Sequence, residues 1–298
     1  MKKTHSFTAF MEAMAEQLAR NGKTRTTETY TTTLNSFRRF LRSRNPPCSR
    51  ITADLMEQYE AWLKGKGLCR NTTSFYMRIL RAVYNRAAEA GLTPQNHPFR
   101  HVYTGVDKTV KRAVPREAVR ALRRMDLSGD PELALARDLF MFSFFTRGMS
   151  FVDMAFLRKT DLRGGILSYS RRKTGQPIRV RWESCMQEIV DRYPANPTGY
   201  LLPIITREKP SQRAQYLNAL AKVNASLKVL SFRLGLGVPV TTYVARHSWA
   251  SIAYSQEIPL SVISDGLGHN SESTTRIYLS SVVNSRVDRA NQRILHLV

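Results

Sequence analysis

Cysteine is scarce: Cys48, Cys69 and Cys185 are three in 298 residues, an odd number spread far apart, which excludes a disulfide framework and fits a reducing compartment. Metal-binding spacing is missing too. There is no Cys-x-x-Cys, no His-Glu-x-x-His and no clustered acidic pair of the kind that holds two metals, so neither a metal site nor a cofactor is expected. Long apolar runs are also lacking. No stretch approaches the roughly 20 apolar residues that span a bilayer. Lys2 and Lys3 precede a segment, Phe7 to Leu18, that carries Glu12 and Glu16 at helical intervals, unlike a signal peptide. A soluble, cytoplasmic protein with no membrane partner is expected.

Acidic residues are few beside basic ones, 23 against 46, for a formal charge of +23. Residues 1–111 hold 19 basic and 8 acidic side chains, and residues 112–298 hold 27 and 15, so the two parts carry +11 and +12. Charge spread over the whole body rather than a tail suits a polyanion gripped by two domains, and nucleic acid is the usual one. A hydrophobic content of 42 % argues against disorder, and the length suffices for two cores.

The first hundred residues read as four helices, Thr8–Arg20, Thr26–Arg44, Asp54–Lys64 and Thr72–Ala90, broken at Asn21-Gly22, Asn45-Pro46-Pro47 and Gly65-Lys66-Gly67. Thr52 and Asn71 are placed to cap the third and fourth helices, and Gly65 and Gly91 to stop them in left-handed conformations. In the fourth helix Phe75, Ile79, Ala82 and Val83 suggest an apolar stripe flanked by Arg78, Arg81 and Arg86, of which Arg78 and Arg81 are candidates for nucleic-acid contact.

Residues 98–111 show no sustained period and read as a linker between a domain at 1–97 and another at 112–298. In the second part Pro115 opens a helix, Pro131–Phe145 is apolar nearly all round and therefore buried, and alternation through Ile166–Tyr169 and Ile178–Trp182 marks two strands joined by a turn at Lys173-Thr174-Gly175. Helices are expected at Glu183–Arg192, Ser211–Leu234, Thr242–Gln256 and Ser271–Leu279, with a last one from about Val282. In that last segment Val283, Val287, Ala290 and Ile294 recur with Arg286, Arg289 and Arg293 between them, an amphipathic pattern that needs an apolar partner. The fold class expected is mainly α, with one small sheet in the second domain.

Chemistry concentrates late in the chain. Tyr243-Val244-Ala245-Arg246-His247 is followed by Gly266-Leu267-Gly268-His269 and by Thr275-Arg276-Ile277-Tyr278, while Arg147 follows an apolar helix and Lys173 sits in the strand turn beside Arg171 and Arg172. Arginine offers a planar, permanently charged fork for phosphate oxygens, and a tyrosine hydroxyl can attack phosphorus. Two arginines, a lysine, a histidine and a final tyrosine in this order resemble the tyrosine recombinase (phage integrase) family over nearly the whole chain.

That resemblance implies an amino-terminal SAM-like, four-helix core-binding domain and a carboxy-terminal catalytic domain, clamped together on double-stranded DNA. It implies Tyr278 as the nucleophile that forms a 3′-phosphotyrosyl link. Arg147 and Arg246 would hold the non-bridging oxygens, Lys173 would protonate the leaving 5′-oxygen, and His269 would donate to the phosphate. Arg171 and Arg172 become candidate DNA contacts, and His247 a support behind the site. It also implies four identical protomers in the synaptic complex, with a monomer or dimer away from DNA. Two departures stand out. Tyr243 occupies the place of the usual first histidine of His-x-x-Arg-His, which resembles a subgroup from mobile elements. The carboxylate that usually follows the first arginine closely falls at Asp153, a candidate brace for a site group. A type IB topoisomerase shares this chemistry, and an idle DNA-binding regulator shares the fold. The integrase-like first domain argues against the former and the complete residue set against the latter.

Overall fold

The computed structural model describes residues 6–42, 44–107, 109, 113–209, 211–276 and 279, together with 291, 292, 294 and 295. It divides into two compact units, Met1–Thr109 and Val110–Val298.

Four helices build the first unit: α1 (Phe7–Arg20), α2 (Thr24–Leu41), α3 (Ala53–Gly65) and α4 (Arg70–Glu89). Side chains cap two of them, since Ser6 Oγ accepts from the Ala9 N–H and Thr52 Oγ1 from the Leu55 N–H, both at 3.2 Å. The core is aromatic and sulfur-rich, with Phe7, Met11, Phe37, Met56, Tyr59 and Met77 all fully buried. Phe37 and Tyr59 meet edge to face at 5.0 Å, and the Tyr59 hydroxyl donates to Ser36 Oγ at 2.8 Å, which satisfies a buried polar group.

Three local expectations change here. The buried face of α4 is Met77, Leu80, Tyr84 and Ala87 with Val83, whereas Phe75 and Ile79 are half-buried and Ala82 is exposed. Asn71 does not cap α4, which starts at Arg70; its side-chain amide instead donates to Asp107 O at 3.1 Å while its oxygen accepts from the Asp107 N–H at 2.8 Å. Gly65 is still helical, and the left-handed residue is Gly67, at φ 74°. The stretch read as a linker is packed on this unit as far as Asp107. Phe99 and Val102 enter its core, and Ser74 Oγ donates to Gly105 O at 2.5 Å.

The second unit runs α5 (Arg116–Arg124), α6 (Pro131–Phe145), α7 (Phe151–Ala155), β1 (Leu162–Arg163), β2 (Ile166–Ser170), β3 (Pro177–Arg181), α8 (Ser184–Asp191), α9 (Gln212–Arg233), α10 (Thr242–Ser255) and α11 (Leu260–Leu267), and residues 272–276 are again helical. Helix α6 is the central rod. Asp130 caps it, Pro131 occupies its first turn, and eight of its residues are buried because α5, α8, α9 and α10 surround it. The sheet is antiparallel in the order β1-β2-β3, with Leu167 opposite Val180 and Tyr169 opposite Ile178. Ile178 and Val180 face the core and Arg179 and Arg181 the solvent. Helix α7 and strand β1 are too short to show a period in the sequence, and α11 is a further element that the periodicity does not predict. Of the amphipathic tail pattern, Val283, Val287, Ala290 and the three arginines lie outside the described residues, and Ile294 is exposed.

Candidate active site

The site begins where α6 stops. Thr146 turns its hydroxyl back to Phe142 O at 2.7 Å, and then two residues in succession take the left-handed conformation, Arg147 at φ 61° and Gly148 at φ 75°. Such a conformation is uncommon for a residue with a side chain and costs energy that packing elsewhere must offset. The turn closes through the Gly148 N–H, which donates to Ser143 O at 2.7 Å. A Cβ at position 148 would stand 2.7 Å from Cα and Cγ of Arg246, so only glycine lets α10 approach this closely. The approach seats Arg246, 3 % exposed, against the turn: its Nη1 donates to Gly148 O at 2.9 Å and its Nη2 to Leu267 O at 2.5 Å. Two carbonyls on different elements thus fix the guanidinium plane.

The second wall is the end of α11. A Cβ on Gly266 would fall 2.8 Å from the Trp249 ring and 3.7 Å from Arg147 Cδ; one on Gly268, at φ 62°, would fall 2.6 Å from Ile178 and 3.0 Å from Arg171 Cδ. Both glycines of Gly-Leu-Gly-His stand where other side chains come too near for a Cβ. Arg171, 8 % exposed, donates to Gly268 O at 2.5 Å and so ties the β2–β3 hairpin to this turn. The backbone turn then presents His269, whose Nε2 lies 3.1 Å from Arg246 Nη2 and whose Nδ1 lies 2.8 Å from Thr275 Oγ1. Burial, then the positive charges of Arg246, Arg171 and Lys173, push the His269 imidazole down to about 4, so it is neutral at physiological pH.

The hairpin is the third wall. Its loop closes with the Arg171 N–H donating to Gln176 O at 2.8 Å and the Gly175 N–H to Arg171 O at 2.7 Å, leaving Lys173 exposed at the tip. Asp153, 5 % exposed, steadies it: Oδ1 accepts from the Arg172 N–H at 2.9 Å, and Oδ2 from the Ser150 hydroxyl at 2.6 Å. The Arg172 guanidinium stacks 4.0 Å above the Phe156 ring.

The candidate residues therefore separate by place. Arg147, Asp153, Arg171 and Arg246 lie close enough to act on the Tyr169 phenol, and Arg246, Arg171 and Lys173 on the His269 ring, all in the second unit. Arg171, expected as a DNA contact, is a buried brace. Tyr243 and His247 share one face of α10 with their rings edge to face at 4.8 Å; Tyr243 is 51 % exposed and His247 buried. Tyr278 lies outside the described residues. In the first unit Arg78 is half-buried, and Arg81 donates to Thr104 Oγ1 at 2.8 Å. Among the described residues no group of three or more His, Cys, Asp or Glu could hold a metal, and no helix is long and apolar enough to cross a membrane.

Two further side chains belong to the site. Tyr169, on the inner face of β2, has its phenol pushed up by burial and by the charge of Asp153, against the pull of Arg246, Arg171 and Arg147. Thr275, fully buried, bonds His269. Strand alternation places Tyr169 inward, and Thr275 opens the Thr-Arg-Ile-Tyr element, but neither pattern names a charged neighbour.

Residues 6–102 match the family described as phage integrase SAM-like domain, and residues 168–284 match the phage integrase family. No curated protein matches the chain. Among solved structures it is similar to a lambda integrase tetramer bound to a Holliday junction, with 18 % identity over 93 % of this chain and 78 % of that one at a TM-score of 0.70. It is also similar to the Tn1549 transposon integrase in complex with a circular intermediate DNA (14 % identity, 94 % and 99 % covered, TM-score 0.66). A third is the XerH site-specific recombinase on a palindromic difH substrate after cleavage (16 %, 94 % and 83 %, 0.67). At these identities the likeness is one of fold.

Proposed function

Because the chain belongs to the phage integrase family of tyrosine recombinases, we propose that it is a site-specific DNA recombinase that cuts and rejoins strands through a 3′-phosphotyrosyl intermediate. Tyr278 loses its phenolic proton to solvent as its oxygen bonds to phosphorus and the bond to the 5′-oxygen breaks, and Lys173 gives the departing oxygen a proton, later regained from solvent. Arg147 and Arg246 hold the non-bridging oxygens, which carry the charge a metal would otherwise stabilise. A phenolate, with an ordinary pKa of about 10, is a better leaving group than an alkoxide, so the returning 5′-hydroxyl can reverse the step without ATP. Asp153 keeps Lys173 in range by holding the Arg172 N–H, at 2.9 Å.

Residues 1–97 serve in this reading as the core-binding domain and residues 112–298 as the catalytic domain. The partner is double-stranded DNA, and four protomers act together on two duplexes, as in the lambda integrase tetramer on its junction. The Tn1549 likeness and Tyr243 both suit an element that moves between DNA sites. The observation that carries the proposal is Arg246: a nearly buried guanidinium fixed by Gly148 O and Leu267 O beside His269 is a preformed anion clamp. The test is a duplex with a nick near the cut site, which traps the covalent adduct. The full-length protein is expected to form a band of joined protein and DNA, and Tyr278→Phe to bind the same duplex and form none. An adduct that survives in Tyr278→Phe and vanishes in Tyr243→Phe would move the nucleophile to Tyr243.

A further inference from the structure

We propose that Tyr169 is a further residue of the phosphate site, whose phenol O–H donates to a non-bridging oxygen beside Arg147. Its place follows from the hairpin. Leu167 and Tyr169 share the inner face of β2, Tyr169 stands opposite Ile178, and its ring packs against the core of the second unit. Ile178 in turn meets the turn after α11, where a Cβ on Gly268 would fall 2.6 Å from it. Arg171, two residues beyond Tyr169, turns to the same side and bonds Gly268 O. The phenol therefore sits where the hairpin meets the end of α11, within range of the charges of Asp153, Arg246, Arg171 and Arg147.

Hydrogen bonding separates the members of this set. Arg171 is committed to Gly268 O, Arg246 to Gly148 O and Leu267 O, and the two oxygens of Asp153 to the Arg172 N–H and the Ser150 hydroxyl. Among the described residues no hydrogen bond reaches the Tyr169 hydroxyl or the Arg147 guanidinium. A hydroxyl on a ring packed into a core costs free energy unless it finds a partner, and a phosphate oxygen drawn in by three arginines is the acceptor this place offers. The phenol is suited to donate. Burial and the charge of Asp153 hold it above its ordinary 10 against the pull of the arginines, so near neutrality it keeps its proton and is neither base nor nucleophile. It thus supplies a donor without adding another positive charge beside Arg147, Arg171 and Arg246.

This inference rests on the recombinase reading for the identity of the anion, and the two fail separately. Tyr169→Phe keeps the ring and its packing and removes only the hydroxyl. On a saturating nicked duplex it is expected to slow adduct formation by about 100-fold, with the melting temperature unchanged. Duplexes carrying sulfur in place of one non-bridging oxygen of the scissile phosphate, each stereoisomer taken separately, locate the contact, because sulfur is a weak acceptor. The deficit of Tyr169→Phe should shrink with the isomer whose contacted oxygen is replaced and persist with the other. The proposal is overturned if Tyr169→Phe reacts at the parent rate, or if its deficit is the same with both isomers, which would assign the effect to packing. Should the unaltered protein form no adduct, the recombinase reading fails, and inorganic phosphate decides the role of Tyr169. Carbon-13 NMR of tyrosine-labelled full-length protein should then show the Tyr169 Cζ signal, identified by its loss in Tyr169→Phe, moving as phosphate is added, and a signal that stays in place overturns the proposal.

Discussion

Among the described residues of the second unit, two clusters bury charge in different ways. On α6, Asp138 accepts from Arg137 Nε and Arg192 Nη1, each at 2.9 Å, and from the Tyr193 hydroxyl at 2.8 Å. Negative charge is met by positive charge, and the cluster pins the end of α8 to α6. At the candidate site the buried cations Arg246 and Arg171 are held by carbonyl oxygens of Gly148, Leu267 and Gly268. Carbonyl dipoles orient a guanidinium as neutral acceptors, and burial, together with the charges of Arg246, Arg171 and Lys173, holds His269 neutral. One cluster pairs its charges with each other; in the other, the cations donate to backbone oxygens.

The comparison breaks most visibly at Arg246. Arg246→Lys preserves the charge but cannot span Gly148 O, Leu267 O and a phosphate at once, because an ammonium has no planar fork. Adduct formation should fall by about 100- to 1,000-fold per folded molecule, with some loss of stability because one of the two buried carbonyls loses its donor. A lysine variant that cleaves at the original rate would show that the fork is not used.

The converse applies to Asp138. Asp138→Ala strands Arg137, whose side chain is only 13 % exposed, and the Tyr193 hydroxyl. Removing one partner of a buried ion pair typically costs about 3–5 kcal/mol. Urea unfolding should register that loss, and the adduct rate per folded molecule should hold. If Asp138→Ala instead slows chemistry in fully folded protein, the two clusters are coupled.

Much of this architecture is legible in the order of the amino acids. Helix α6 matches its expected bounds because Asp130 and Pro131 mark its start and an apolar run fills it, and α10 and α9 fall within a residue or so of expectation. Arg147, Lys173, Arg246 and His269 follow from motif order alone. What stays hidden depends on contacts between distant segments. Nothing local tells that Gly148 is glycine because Arg246 passes 2.7 Å from where its Cβ would be, or that Arg171 turns inward to Gly268 O while Arg172 stacks on Phe156. Residue type announces the cation; only the packing tells whether it braces the fold or faces a ligand. The same limit explains Asn71, which looks like a cap in sequence and becomes a clasp for Asp107 once residues 98–107 fold back on α4.

The smallest effect expected from the comparison is a pH dependence at His269. Its folded value of about 4 lies below the ordinary 6.5, so between these pH values the unfolded chain binds a proton that the folded chain does not. Stability from this group is therefore complete above about pH 6.5, is lost as pH falls toward about 4, and changes no further below that. Carboxylates held low in the folded state, such as Glu12 beside Arg38 and Glu60 beside Lys64, give up their stabilisation only as pH falls through the ordinary carboxylate range and below, at the acid end of this window. The informative quantity is accordingly the difference between the protein and His269→Gln, measured by urea unfolding at pH 7, 5.5 and 4.5. The gap should narrow steadily with acid, because only the parent carries the depressed histidine. A bound phosphate oxygen would oppose the surrounding cations and raise the His269 value, so duplex DNA should shrink that narrowing. If the gap is constant with pH, His269 titrates normally, and the burial and neighbouring cations said to hold it neutral do not do so.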